Sequence, residues 1–285
     1  WLYLAPVLVL MSVFLIYPLI DTIFISFMSN FDYIKGTYDG FTLDNYGAIL
    51  GLTSINGAYE SRILDYALPN TFFLVFATVI PSIIISLLIS VALNSIKWFQ
   101  KILQTIFFLP YVTNVIAVGM VFSVLFDKSG VINYVLGITG KQWIYGATRW
   151  DAMVPLCIYI IWSSLPFKIL VFLSGLQGID KQYYQAAPKY KVLARITVPL
   201  LGPQILYIMI TSFIGAFKEY SSIVGLFNGP GTTTGTYELY TIVYYIYDNL
   251  NTHTSFAAAA AVLLFVIILI FTFLQMGVSK KRIYY

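Results

Sequence analysis

The 285-residue sequence is 59% apolar and only 10% charged, whereas an ordinary soluble domain carries about a quarter of charged residues. With a mean hydropathy of +0.84, this composition excludes a water-soluble globule and predicts a chain surrounded by lipid. The net charge is +4, and the basic residues stand in small groups between apolar runs, so we expect no nucleic-acid partner. One cysteine, Cys157, and one histidine, His253, supply no disulfide, metal cluster or catalytic constellation. Because the sequence starts at Trp1 rather than methionine, we expect residues before it.

Long apolar runs predict the membrane-spanning segments. A helix needs about 20 mostly apolar residues to cross the hydrocarbon core of a bilayer. Six runs meet this requirement, and they cover about 1–27, 71–94, 102–126, 152–179, 199–227 and 254–279. We therefore predict an all-α membrane protein in which residues 1–285 form a single domain of six transmembrane helices.

The distribution of charge predicts the orientation of these helices. If the N-terminus is inside, the cytoplasmic segments hold nine basic residues and one acid, whereas the outside segments hold five basic residues and nine acids. Lys and Arg are retained on the cytoplasmic side, so we expect both termini to be cytoplasmic. The cytoplasmic segment 180–198, between the fourth and fifth spans, is the inside loop with room for structure.

On composition alone, this basic segment resembles an amphipathic linker at the headgroups. Its motifs, and others along the chain, indicate something more specific. They are Leu176-Gln177-Gly178-Ile179, Gln185-Ala186-Ala187 and Ile196-Thr197-Val198-Pro199-Leu200-Leu201, with Asp44-Asn45-Tyr46, Asn70-Thr71, Leu109-Pro110-Tyr111, Trp162, Pro166 and Asn228-Gly229-Pro230-Gly231 in the corresponding order elsewhere. In this order they resemble the permeases of binding-protein-dependent ABC importers, including the cytoplasmic EAA signature, and are most similar to the carbohydrate-uptake, maltose-transporter type.

The resemblance implies the type I importer permease fold, with segment 180–198 as the helix that couples the permease to an ATPase. The coupling residues it implies are Tyr184, Gln185, Ala186, Ala187, Leu193, Ile196 and Pro199. Two features depart from the family pattern. Gln185 replaces the usual Glu, and a short block containing a turn is absent between Ala187 and Pro188. We interpret that gap as a segment omitted from the sequence rather than as a truncated coupling helix.

The resemblance also implies partners. No stretch has the Gly-rich turn ending in Gly-Lys-Ser/Thr that binds nucleotide phosphates, so we expect ATP and magnesium on partner subunits, and no cofactor or enzyme activity on this chain. The expected partners are a second homologous permease, two ATP-binding cassette subunits, an extracytoplasmic solute-binding protein and membrane lipid, all at the bacterial cytoplasmic membrane.

Residues of the fourth and fifth spans are candidates for the substrate pathway. By family position they are Ser163, Ser164 and Phe167, followed by Ser212, Gly215, Ala216 and Glu219. The second set has the spacing of one helical face, although Ser, Gly and Ala serve equally well in close helix packing. Lys168 and Lys218 also lie within spans, either in the pathway or reaching along their stems to the headgroups.

The cargo implied by the resemblance is a sugar or oligosaccharide. Glycerol phosphate or another polar solute is an alternative, because Lys168 or Lys218 could meet a phosphate. An ion-coupled secondary transporter is an alternative of another class, although the sequence has no convincing internal repeat or midplane acid pair.

Overall fold

A computed structural model describes residues 3–54, 62–96, 100–180, 182, 193–231 and 238–280. Most of these residues are helical. In chain order the helices are α1 (Ala5–Met11), α2 (Tyr17–Ser26), α3 (Asp44–Ile49), α4 (Leu68–Ser95), α5 (Gln100–Val112), α6 (Val115–Leu125), α7 (Val131–Leu136), α8 (Arg149–Gln177), α9 (Val198–Leu200), α10 (Gly202–Phe217), α11 (Ser221–Phe227), α12 (Ile242–Asn249) and α13 (Thr254–Lys280). Single π-helical turns lie at Ser12–Ile16, Ile63–Ala67 and Leu193–Thr197. Strands β1 (Met28–Ser29) and β2 (Gly40–Phe41) pair antiparallel.

Four helical segments among the described residues are long and apolar enough to cross a membrane. They are Ala5–Ser26, Ile63–Ser95, Arg149–Gln177 and Thr254–Val278. A fifth crossing results if α5 and α6 are counted together, although they meet at an angle of 100°. The remaining predicted span contains the shorter apolar helix α10. The structure therefore supports four to five spans. In two of the six predicted spans the helix is interrupted.

The first interruption lies between α5 and α6. The Asn114 side chain accepts hydrogen bonds from the backbone N–H groups of Ile116 and Ala117, at 2.9 and 3.1 Å. This is an N-cap, which satisfies donors that have no partner at the start of a helix. A continuous helix over 102–126 was expected, but the cap starts a new helix in the middle of that apolar run.

The second interruption lies between α10 and α11. Helix α10 ends at Phe217, and α11 begins at Ser221. One carboxylate oxygen of Glu219 accepts a hydrogen bond from the Ser222 N–H at 3.0 Å, in the first turn of α11. The expected helix over 199–227 is therefore divided, again at a polar side chain that binds helix-start N–H groups.

The chain folds as two compact units. The smaller comprises Trp1–Asn70 and Tyr240–Ile267, and the larger comprises Thr71–Leu239 and Ile268–Tyr285. In the smaller unit, Asp248 accepts hydrogen bonds from the Tyr240 hydroxyl at 2.7 Å and from Arg62 at 3.3 Å. Burial and this hydrogen bond to Asp248 raise the pKa of Tyr240. The cluster joins α12 to the segment that leads into α4.

In the larger unit, α4 packs on α8 through a row of buried serines. Ser82, Ser86 and Ser90 are four residues apart and share one face of α4. Ser90 donates a hydrogen bond to the Ile169 carbonyl of α8 at 3.2 Å. Small hydroxyl residues allow close approach of membrane helices and add hydrogen bonds across their interface. Next to this contact, a buried apolar cluster fills the space between α8 and the start of α10; its members are Phe172, Leu176, Leu201 and Ile208.

The connection between α6 and α8 is organised by one buried amide. Asn133 donates to the carbonyls of Lys128 and Lys141, at 3.0 and 2.7 Å, and accepts from the Trp143 indole at 2.7 Å. An ion pair of 2.6 Å joins Lys141 to Asp151 at the start of α8. These bonds fix the loop that precedes α8, the helix carrying four of the nine candidate pathway residues.

Candidate functional site

Three aromatic rings from three helices meet beside α8. The Phe167 ring stacks against Tyr111 of α5, with centroids 6.1 Å apart and planes 18° apart. It also contacts Tyr207 of α10 at 6.3 Å. Tyr111 and Tyr207 are each about half exposed, at 53% and 51%. We call Tyr111, Phe167 and Tyr207 the aromatic cluster. Part of its ring surface is not covered by the helices that carry it.

A cavity lies on each side of the aromatic cluster. The smaller, of about 220 Å³, is at the α5–α6 interruption and is lined by Tyr111, Thr113, Tyr159 and Ser163, among others. The larger, of about 630 Å³, runs along the end of α8 and is lined by Phe167, Ser174, Asp180 and Gln204, among others. Tyr111 lines the first and Phe167 the second, so the aromatic cluster lies between the two.

The predicted residue Ser163 lies on the same face of α8 as Phe167, one turn away. Its hydroxyl donates to the Ile160 carbonyl at 3.1 Å, which leaves the oxygen lone pairs as acceptors toward the smaller cavity. Two of the four fourth-span candidates, Ser163 and Phe167, thus share one face of α8.

Ser164 and Lys168 lie on a different side of α8, against α4. The Lys168 ammonium donates to the hydroxyls of Ser82 and Ser164, both at 2.8 Å. Both hydroxyls donate their own protons to backbone carbonyls, those of Val79 and Ile161 respectively. Lys168 is only 5% exposed. The structure therefore places Lys168 neither at the open ring surface nor at the headgroups: it joins α4 to α8.

The fifth-span candidates do not share the single face that their spacing predicts. Ser212, Gly215 and Ala216 are on α10, but that helix ends at Phe217. Glu219 lies beyond the end and binds the first turn of α11. Lys218 is an exposed residue at the end of α10. Glu219, seven residues after Ser212, therefore lies outside the helix whose periodicity would place it on the same face.

Tyr207 and Gln204 were not predicted as site residues, and Tyr111 was predicted only as part of a motif. A signal was present: Tyr207, Thr211 and Gly215 are four residues apart, on one helical face. Polar and aromatic residues repeated at that interval in an apolar span indicate a face turned away from lipid.

Four of the predicted coupling residues, Tyr184, Gln185, Ala186 and Ala187, lie outside the described residues. The described ones are Leu193 and Ile196, in the π-helical turn Leu193–Thr197, and Pro199 in α9. Immediately afterwards, the buried Leu201 meets Gly175 of α8, where an added Cβ would lie 2.7 Å from the Leu201 side chain. The segment thus leads directly into the tight contact between α8 and α10.

Comparison with known proteins identifies the family. The model of the "binding-protein-dependent transport system inner membrane component" family matches residues 83–284. The lactose transport system permease protein LacF of Rhizobium radiobacter is 27% identical over 294 aligned residues, covering 99% of this chain and 94% of LacF. The arabinooligosaccharides transport system permease protein AraP of Halalkalibacterium halodurans is 30% identical, covering 77% of this chain and 68% of AraP.

A solved structure has the same fold. A chain from the crystal structure of a bacterial ABC transporter involved in the import of the acidic polysaccharide alginate superimposes with a TM-score of 0.80 at 20% identity, covering 98% of this chain and 94% of that one. The family model spans well over half of the sequence, and the fold agrees with it. The chain therefore belongs to the binding-protein-dependent transport system inner membrane components, as a multi-pass permease subunit of the cytoplasmic membrane rather than an enzyme.

Proposed function

We propose that this permease carries a sugar or oligosaccharide through an ATP-driven importer, along a path that includes the aromatic cluster. The observation that carries the proposal is the half-exposed ring surface of Tyr111, Phe167 and Tyr207 between two cavities. An aromatic face suits the C–H face of a sugar ring, and binding sites combine such apolar surfaces with a few placed polar groups. Ser163 and Gln204, on either side of the cluster, supply hydroxyl and amide groups for sugar hydroxyls.

Several relatives are named after sugars, and these names support the same class of cargo. Besides LacF and AraP, the trehalose/maltose transport system permease protein MalF of Thermococcus litoralis is 26% identical over 255 residues. Of the fifth-span candidates, Ser212, Gly215 and Ala216 remain proposed lining residues on α10. For the alternative cargo, glycerol phosphate, Lys168 offers no free ammonium, because it donates to Ser82 and Ser164, whereas Lys218 is exposed at the end of α10.

The proposed topology has six crossings in one transmembrane domain, with both termini cytoplasmic. The α5–α6 pair and the α10–α11 pair each make one interrupted crossing. The loop charges support this orientation, since basic residues are retained inside. The proposed complex adds a second permease, two ATP-binding subunits that carry ATP and magnesium, and an extracytoplasmic solute-binding protein. A similar chain has been solved in a transporter complexed with an alginate pentasaccharide-bound periplasmic protein.

The decisive experiment measures ATP hydrolysis and uptake by the reconstituted complex, with its binding protein, across a panel of sugars, oligosaccharides and glycerol phosphate. We expect one glycan to stimulate both activities. Stimulation by glycerol phosphate alone would reassign the cargo. Uptake by this chain alone, driven by an ion gradient, would contradict the importer.

Replacing Tyr207 by alanine tests the aromatic cluster. Loss of one stacking surface, worth about 1 kcal/mol, should raise the glycan concentration for half-maximal uptake roughly fivefold to tenfold. Phe273→Ala removes an exposed ring of α13 outside the cluster, and it should leave that concentration unchanged. Equal effects of the two substitutions would remove the cluster from the path.

Replacing Ala186 by aspartate tests the proposed coupling helix. A small residue permits close approach to the ATPase, whereas a carboxylate buried at that contact is costly. We expect ATP hydrolysis to proceed without uptake, or the complex not to assemble; Ala186→Ser, which stays small, should retain coupling. Assembly and uptake at the parental rate in Ala186→Asp would disprove the assignment.

A further inference from the structure

A cavity of about 1030 Å³ in the smaller unit lies where α2 ends and α13 begins. Its walls come from α2, from the loop that follows β1, and from the segment between α12 and α13. An N–H···O bond of 3.1 Å from Phe31 to the Ser255 hydroxyl fastens that loop to α13. The end of one apolar span and the start of another therefore enclose the cavity, which places it at the boundary between hydrocarbon and headgroups.

The cavity has an apolar part that follows the two spans. Helix α13 opens with Ala257–Ala261, and Ala257, Ala258 and Ala261 line the cavity. Pro18 and Ile25 of α2 line the same space. A run of alanines provides apolar surface without long side chains, so this part of the cavity wall is apolar and leaves room beside the helix.

Between Pro18 and Ile25 of α2, the cavity wall also carries a carboxylate without a counter-charge among the described residues. Asp21 is an exposed residue of α2, and the structure gives its carboxylate no hydrogen bond or ion pair among the described residues. The other lining carboxylate, Asp32, already accepts from the N–H groups of Ile34 and Lys35 and lies 3.5 Å from the Lys35 ammonium. Asp21 is about 7.5 Å along the helix from Ser26, at 1.5 Å per residue. A charge at this depth is costly unless a cation meets it.

Groups that suit an anion line the same cavity. The start of α13 contributes Thr254 and Ser255, and the histidine ring of His253 precedes it. The N–H groups of Phe256 and Ala257 donate to the His253 carbonyl, and the dipole at the start of this long helix favours negative charge beside it. The cavity thus combines an acceptor for a cation, a region favourable to a phosphate and a groove for an alkyl chain.

We propose that this cavity binds a phospholipid with a primary ammonium headgroup, such as phosphatidylethanolamine. The ammonium donates hydrogen bonds to Asp21, the phosphate lies toward the start of α13, and an acyl chain follows Ala257, Ala258 and Ala261. A choline headgroup carries the same charge but has no N–H to donate, and a glycerol headgroup has no cation. The carboxylate therefore selects the ammonium lipid over both. The bound lipid joins α2 to α13 independently of the cargo that the importer carries.

The test is native mass spectrometry of the complete importer complex, released from nanodiscs that contain equal amounts of phosphatidylethanolamine, phosphatidylcholine and phosphatidylglycerol. We expect phosphatidylethanolamine to be retained preferentially. Asp21→Asn should reduce that preference about tenfold, the loss of one charge-assisted hydrogen bond. Asp44→Asn makes the same change of charge at an exposed residue outside the cavity, and it should leave the preference intact.

Further outcomes decide which molecule occupies the cavity. Ala258→Leu narrows the groove and should lower retention of the ammonium lipid, which tests the acyl-chain part without altering charge. Equal retention of all three lipids by the parental complex, or an unchanged preference in Asp21→Asn, would overturn the proposal. Crosslinking of Ala258→Cys to the second permease would also overturn it, because a protein helix would then fill the groove. None of these readouts depends on uptake.

Discussion

Replacing Gly119 by valine is expected to prevent stable assembly of the permease. A Cβ at Gly119 of α6 would lie 2.7 Å from the carbonyl carbon and 2.8 Å from the Cα of Gly225, in α11. From the other side, a Cβ at Gly225 would lie 3.0 Å from the Cα of Ile116. These neighbours are backbone atoms, which cannot rotate away as a side chain can. The two helices must therefore separate, at a cost of about 3 kcal/mol or more.

The measurement is the yield of complex from membranes and its midpoint of thermal unfolding. Gly119→Ala should already lower the midpoint, and Gly119→Val should lower the yield as well. The matched control is Gly277→Ala in α13, where an added Cβ meets nothing within 4 Å; its midpoint should lie at or slightly above that of the parent, because alanine favours a helix over glycine. If Gly119→Ala and Gly277→Ala unfold alike, the α6–α11 contact is looser than the structure shows.

Composition predicted long apolar helices, because about 20 apolar residues in a row have few alternatives to a lipid surrounding. The runs at 71–94, 152–179 and 254–279 correspond to long helices. Composition did not predict the interruptions, which depend on single polar side chains. Asn114 and Glu219 each occur within an apolar run, and hydropathy summed over a window gives one such residue little weight. Their capping bonds are decided by local geometry.

The contacts between spans could not be predicted from the sequence either. Gly119 and Gly225 are far apart along the chain, and nothing in either apolar run indicates that they touch. Lys168 is the clearest case. An isolated lysine in a span suggests a pathway or a headgroup contact, but Ser82, on another helix, binds it instead. Phe167 was predicted from family position, whereas the contacts of its ring with Tyr111 and Tyr207 depend on the placement of three helices.

Replacing Glu219 by alanine should reduce both assembly and uptake, whereas Glu219→Gln should reduce uptake more than assembly. Glu219 is half-buried and binds the Ser222 N–H at the start of α11. Alanine removes the acceptor, and loss of a helix cap costs about 1 kcal/mol. Glutamine keeps a carbonyl oxygen in the same place but loses the charge. Because the cap bond is kept and the charge at the interruption is lost, we expect uptake to fall roughly tenfold while the complex still assembles.

Comparing these two variants separates the two roles of Glu219, as a helix cap and as a charged group at the interruption. Yield of the complex reports the first role, and the uptake rate per assembled complex reports the second. Lys218→Met removes the neighbouring charge, which is exposed and lies at the end of α10. Its effect on uptake should be smaller than that of Glu219→Gln, because Glu219 holds the first turn of the next helix. Equal losses of yield and uptake in Glu219→Gln would make Glu219 a purely structural residue and exclude it from the substrate path.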